Sequence, residues 1–350
     1  MFGIVIRKII PALLLVFILL FFLHTNCFAA VEIQSRINND GWVTEGSIYP
    51  LKGDVISLKV EKIPEAKIRW YQIIPDISKI YKNANHPWER DPYKWVGLAK
   101  IAYQKKELTQ FVNQWEITPF ESDNNSAKVE HSSGSFFKTI LDKILQRPQT
   151  RSTYYRKDVG SFWFQAVVEK DGKKNRSPGI EDSDKYGISP KVFRVSIRER
   201  EGYLGYLTSF FNVPGLFGST LYQSNNYIGV DCADVLMAAY GKWKNKTIDK
   251  NYNVGMVIHE FNKIHECDIR NGHPSEKLKW GKDVSPGDVI AVRYVGKRQY
   301  QHIGALYSDK NRNGILDQHD LVIHAGPYPL HTSALSEGQF DGHVIILRPV

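Results

Sequence analysis

From Val55 to Ile197 the chain returns repeatedly to short apolar runs of strand type set apart by turn residues. Val55-Ile56-Ser57-Leu58-Lys59-Val60 follows a Gly-Asp turn, and Lys67 to Ile73 alternates with a period of two. Ser161 to Val168 and Val192 to Ile197 continue the series. Strands that follow one another without crossover helices pair antiparallel, so residues 31–200 are expected to form an all-β domain, most simply a sandwich. One stretch departs from the pattern: Phe136, Phe137, Ile140, Leu141, Ile144 and Leu145 recur at helical spacing, marking a short helix that either caps the sandwich or touches a membrane. The aromatic, charged segment from Asn85 to Trp95 reads either as a binding loop or as a packed one.

With 350 residues the chain is long enough for about two domains. Its 42% hydrophobic and 24% charged residues exclude a disordered tail, a collagen or a disulfide-dense miniprotein. Arg7 and Lys8 precede the apolar run Ala12–Leu23, and Ala29 and Ala30 follow a polar break, which is the layout of a secretory signal over residues 1–30. A bilayer needs about 20 apolar residues. The run is shorter, so a retained anchor is the rival reading, and no other segment is suited to span a membrane. The full chain carries a formal charge of +9, of which Arg7 and Lys8 leave with the signal, so an exported protein, secreted or periplasmic, stays basic and is drawn to anionic envelope polymers. The basic residues are scattered and no nucleic-acid-binding motif occurs, so nucleic acid is not an expected partner.

Near Arg198 to Gly205 the grammar changes, and residues 201–350 are expected to form a second domain. Val230-Asp231-Cys232-Ala233-Asp234 leads into an apolar-faced helix through Trp243, with Asp231 placed to cap it. Cys232 then lies in the first helical turn, where free amides and the dipole are expected to lower a thiol pKa. Downstream, Ser285-Pro286-Gly287-Asp288 turns into the strand Val289–Val292, a second strand opens on His302, and a third, Leu321-Val322-Ile323, ends on His324. An even hairpin register would put His302 and His324 on one face, where one imidazole takes the thiol proton and the other orients the first.

Asp-Cys before an apolar helix, Pro-Gly-Asp before a strand, His-Ile-Gly opening the next and Ile-His-Ala in the one after resemble the NlpC-type cell-wall cysteine peptidases, a papain-like α+β superfamily. The resemblance covers roughly Tyr222 to the C-terminus. It implies Cys232 as nucleophile, His302 as general base, His324 as the orienting third member, and peptidoglycan stem peptides or muropeptides as substrate. It also implies an upstream tyrosine at the oxyanion site, either Tyr222 or Tyr227, beside the backbone amide of Cys232; Asp231 and Asp234, on either side of the cysteine, are further candidates for the oxyanion or substrate site. Ala233-Asp234 stands where the family usually carries Ser-Gly, and the usual upstream glycine pair is missing. In the first half, Trp70 and the run Asp158 to Phe164 resemble the core tryptophan and late-strand signature of immunoglobulin-like domains, with Phe164 where a bridging cysteine would stand. Two other readings of the chain compete: a catalytically silent envelope-binding or adhesion module, and an acyltransferase or deacylase using the same residues on a lipid or protein amide.

Between the two histidine strands, Asp309 to Asp320 follows the twelve-residue calcium-loop grammar. Asp309, Asn311, Asn313, Asp317 and Asp320 supply oxygens, Gly314 the sharp turn and Ile315 a carbonyl, so a structural Ca2+ is expected. His259, Glu260, His265, Cys267 and His273 lack zinc-site spacing. Removing the signal leaves Cys232 and Cys267, and a disulfide between them competes with a free nucleophile.

Overall fold

The computed structural model of the protein describes residues 31–83, 100–120, 154–326 and 328–350. The expected signal segment, the aromatic segment 85–95 and the helical stretch 136–145 lie outside the described residues. The first half contributes β1 (Gln34–Ile37), β2 (Ser47–Ile48), β3 (Ile56–Lys59), β4 (Lys67–Pro75), β5 (Tyr81–Lys82), β6 (Tyr103–Glu107), β7 (Glu116–Ile117), β8 (Gly160–Lys170), β9 (Lys173–Arg176) and β10 (Phe193–Ile197). One sheet has the order β1-β3-β7 and the other β2-β10-β8-β4-β6, with β9 beside β8.

The two sheets meet through Leu58 and Ile117 on one side and Ile68, Trp70, Phe162 and Phe164 on the other. Trp70 is fully buried, and its indole N–H donates to the Gln114 carbonyl at 2.8 Å, so the largest ring of this core leaves no orphaned donor. Phe164 packs edge-on against Phe120. Pairing is not uniformly antiparallel as the pattern suggested: β2 lies parallel to β10, Arg194 opposite Ser47, which the long connection between them permits.

The second half contributes α1 (Gly202–Thr208), β11 (Leu216–Phe217), α2 (Leu221–Asn225), α3 (Cys232–Lys244), α4 (Val254–Glu260), β12 (Asn262–Arg270), β13 (His273–Pro274), β14 (Val289–Arg293), β15 (His302–Ser308), β16 (Leu321–His324), β17 (His331–Ala334) and β18 (Gly342–Arg348). β11 pairs with β5 of the first half. The last seven strands form one sheet in the order β13-β12-β18-β14-β15-β16-β17. Asp288, at the turn into β14, accepts two hydrogen bonds from the Arg348 guanidinium at 2.8 and 2.7 Å and pins the sheet centre. The chain is thus a β-rich protein of several sheets with few helices.

α3 packs on one face of the seven-stranded sheet, Leu236 and Ala239 sharing a core with Ile303, Ala305 and Ile323. That core does not stop at the expected boundary, because Ile73, Trp163 and Val192 of the first half belong to it. β8 is consequently covered on both faces, and Gly160 through Ala166 are all buried. A polar junction reinforces the contact: Arg194 donates to the Tyr49 hydroxyl at 2.8 Å and to the Asn226 carbonyl at 3.1 Å, with its guanidinium 3.9 Å from the centre of the Tyr227 ring.

Candidate active site

The site begins at the start of α3. Asp231 caps the helix, accepting from the amides of Ala233 at 3.1 Å and Asp234 at 2.9 Å. Asp234 turns back and accepts from the Ser219 hydroxyl at 2.9 Å and the Tyr252 amide at 3.2 Å, while Ser219 Oγ accepts from the Asp231 amide at 3.0 Å. Both carboxylates flanking Cys232 are therefore tied into the loops that hold the helix end in place. Burial raises the Asp234 pKa to about 6, and burial together with Asp234 raises that of Asp231 well above the carboxylate range.

Cys232 sits on this end, partly exposed and not in a disulfide. The expected depression of its thiol pKa is not what the structure gives: burial, then Asp231 and Asp234, push it up, against hydrogen bonds from the Ile303 amide and its own amide. Two carboxylates beside the sulfur and a dry surrounding outweigh the helix dipole. Cys267 is also free, buried in the core on the opposite face of the sheet, and burial raises its thiol to about 11. The Cys232–Cys267 bridge is not formed.

The strands bring the two histidines together. His302 opens β15 and His324 closes β16, and His302 Nε2 lies 3.0 Å from His324 Nδ1, the rings edge-to-face. Gly304 permits the approach, since a Cβ there would come within 2.8 Å of both the His324 Cβ and the Ile323 carbonyl. Phe340 packs against both rings at 5.2 and 5.4 Å. Burial lowers the His302 pKa to about 4 and carries His324 well below its ordinary value, with His331 adding to both shifts. Both imidazoles are neutral at pH 7.

Among the described residues no hydrogen bond joins Cys232 Sγ to either imidazole; the amide of Ile303, the neighbour of His302 in the chain, works only to lower the thiol pKa. Nucleophile–base contacts are commonly long in free enzymes and tighten with substrate. His302 Nδ1 is the ring nitrogen left for the thiol, because Nε2 is engaged by His324.

Four contributors escaped the sequence pattern. Ser333 Oγ lies 2.8 Å from His324 Nε2, and the His331 ring lies 4.3 Å from that of His324. Gly326, at φ +84°, carries the backbone past the helix start, where a Cβ would sit 3.7 Å from the Cys232 amide nitrogen. Tyr294, beyond the end of β14, has its phenol pKa raised by burial and by the Cys232 thiol. Only a fold gathers these around Cys232 and the histidine pair; isolated Ser, Gly and Tyr residues carry no spacing signal. Of the expected oxyanion tyrosines, Tyr227 is wholly buried, stacked on Phe210 and bonded to Ser209 Oγ at 2.9 Å, and Tyr222 is exposed on α2 against Tyr186. Among the described residues neither hydroxyl is hydrogen-bonded to residue 232.

The loop from Asp309 to Asp320 closes the hairpin between β15 and β16. The side-chain amides of Asn311 and Asn313 donate from Nδ2 to Asp317 Oδ2 at 3.0 and 2.6 Å, and Asp309 Oδ1 is buried with no hydrogen-bond partner. The buried Asp309 oxygen suits a cation, whereas the two asparagines turn their amide donors to Asp317 and their oxygens accept from the backbone amides of Asn313 and Ile315. Asp320 fits a cation less well: it is buried, and its oxygens accept from the Trp280 indole at 2.8 Å and the amides of Asp317 and Lys310. Among the described residues no three His, Cys, Asp or Glu side chains form a metal-binding group, so a cation here would rely on the asparagine and Ile315 oxygens.

Comparison of the chain with protein-family models, curated proteins and solved structures returned no match.

Proposed function

We propose that the chain is a cysteine hydrolase that cleaves an amide bond, with peptidoglycan stem peptides or muropeptides as its substrate class. Supporting this reading above all is the 3.0 Å contact between His302 Nε2 and His324 Nδ1, which engages one ring nitrogen of His302 and leaves Nδ1 as the nitrogen available to Cys232, at a capped helix start. In this reading His302 Nδ1 takes the thiol proton as sulfur attacks the carbonyl carbon, and the Cys232 amide donates to the developing oxyanion. The carbon–nitrogen bond breaks, His302 returns the proton to the amine, and water activated by the same imidazole hydrolyses the thioester. A neutral thiol and a neutral imidazole are the resting pair, ionised only as substrate fills the site.

The architecture is assigned to an immunoglobulin-like β domain ahead of an NlpC-type, papain-like domain in an exported protein. The β half positions the hydrolase against anionic envelope polymers, and nucleic acid is no partner. Asp309, Asn311, Asn313, Asp317 and the Ile315 carbonyl hold a structural Ca2+ that stiffens the histidine hairpin, with Asp320 closing the loop from behind. Muropeptides incubated with the wild type and with Cys232→Ala test the assignment: products from the wild type alone are expected, and equal products or none from either would overturn it. One observation favours a second reading, a catalytically silent binding module: among the described residues no hydrogen bond joins the sulfur to either imidazole. That reading requires Cys232→Ala to leave binding to cell-wall sacculi intact with no product from either protein.

A further inference from the structure

The two imidazoles form a chain whose direction is not fixed by distance alone. His302 Nε2 lies 3.0 Å from His324 Nδ1, and His324 Nε2 lies 2.8 Å from Ser333 Oγ, all three side chains being buried. A neutral imidazole carries one proton, so only two polarities are possible. If Ser333 donates to His324 Nε2, then His324 donates from Nδ1 to His302 Nε2, and the His302 proton sits on Nδ1, where it blocks acceptance from a thiol. If Ser333 accepts, His324 carries its proton on Nε2, its bare Nδ1 accepts from His302 Nε2–H, and His302 Nδ1 is left without a proton, able to accept one from a thiol. Only the second polarity yields a base.

We propose that Ser333 is the positioning residue that sets this polarity by accepting from His324 Nε2, so that β17, the edge strand of the sheet, determines the tautomer of a histidine two side chains away. The placement is built in: β17 pairs with β16 so that His324 stands opposite His331 and Val322 opposite Ser333, which carries the hydroxyl under the outer edge of the His324 ring. Phe340 covers both rings, leaving the serine as the polar atom at the end of the chain. His331, against the face of His324, is itself locked: the Pro329 carbonyl 2.9 Å away can only accept, so His331 carries its proton on Nδ1. Ser333 does not touch the reacting atoms and acts through His324 and His302. The proposal rests on the hydrolase reading for its purpose, though not for its test.

Long-range proton–nitrogen NMR of the full chain labelled with nitrogen-15 at histidine reads each tautomer directly. In the wild type at pH 7, His302 and His324 are both expected as the Nε2–H form. In Ser333→Ala, His324 is expected to lose that preference, and Ser333→Thr, which keeps the hydroxyl, should restore it. With muropeptides, Ser333→Ala should lower kcat about tenfold with little change in KM, the scale of one lost hydrogen bond. A wild-type spectrum with His324 in the Nδ1–H form overturns the proposal without any variant, and so does a Ser333→Ala spectrum with unchanged tautomers. If the tautomers behave as stated while muropeptides remain uncut by the wild type, the serine assignment stands and the hydrolase reading falls.

Discussion

Burial shifts the titratable groups on the two walls of the site in opposite directions. On the helix wall, Asp231, Cys232 and Asp234 are acids whose pKa values burial raises; on the strand wall, His302 and His324 are bases whose pKa values burial lowers. Burial thereby disfavours charge on both walls, although Asp234, at about 6, is ionised at pH 7 while both imidazoles are neutral. They differ in what holds them. The helix wall is fixed by backbone amides and Ser219. The strand wall is fixed by a run of side chains ending at Ser333. A backbone-held wall tolerates changes in its side chains only where caps survive, whereas a side-chain relay fails at any member.

The largest expected effect breaks the contrast at its seam. Cys232→Ala should reduce muropeptide cleavage by at least about 10³-fold, since the chemistry has no other nucleophile. Cys267→Ser, on the opposite face of the sheet, should leave kcat unchanged. A comparable loss in both variants, measured by product chromatography, would mean that the sulfur at 232 has no special place.

Next is the pH dependence of stability, where the walls have opposite signs. His302 folds with a pKa of about 4 against an unfolded value near 6.5, so between those pH values the unfolded chain binds the extra proton. Stability from this group is complete above pH 6.5 and is lost as pH falls toward 4, by up to about 3 kcal/mol. His302→Gln should flatten that loss in thermal melts taken from pH 7 to 4. Asp234 acts the other way: with a folded pKa raised to about 6, it favours the folded state at low pH and loses that contribution as pH rises through 6. Asp234→Asn should therefore lose less stability than the wild type between pH 4 and 7. Parallel melting profiles for the two variants would contradict the contrast.

Smaller effects test what surrounds the walls. Asp231→Ala removes the cap on α3 and should cost about 0.5–2 kcal/mol in denaturant melts. Millimolar Ca2+ should raise the melting temperature by a few degrees, about the scale of 1 kcal/mol or more in a chain of this size. Asp309→Ala should abolish that shift, and a wild type indifferent to Ca2+ in calorimetry would remove the metal from the account.

What could be read in the residues follows the same division. The cap and helix at 231–243, the strands around Trp70 and Phe164, and the meeting of His302 with His324 all come from local rules: capping chemistry, a period of two, and a hairpin's register. The thiol pKa did not, because the dipole is a local term whereas burial and the two flanking carboxylates are set by the fold. Nor did the shared core, since the pattern of β8 identifies a strand without saying what covers its second face. Ser333 and His331 lie on a four-residue edge strand with no periodicity to mark it.

The most direct test is the rate of alkylation of Cys232 as a function of pH, followed by peptide mass spectrometry in the wild type and in His302→Gln. The account predicts that Cys232 reacts faster than Cys267 at pH 7 and slows about tenfold or more when the imidazole is removed, in line with loss of a general base. Equal rates at residue 232 in the two proteins would show that His302 does not serve the sulfur, and the hydrolase would have no base.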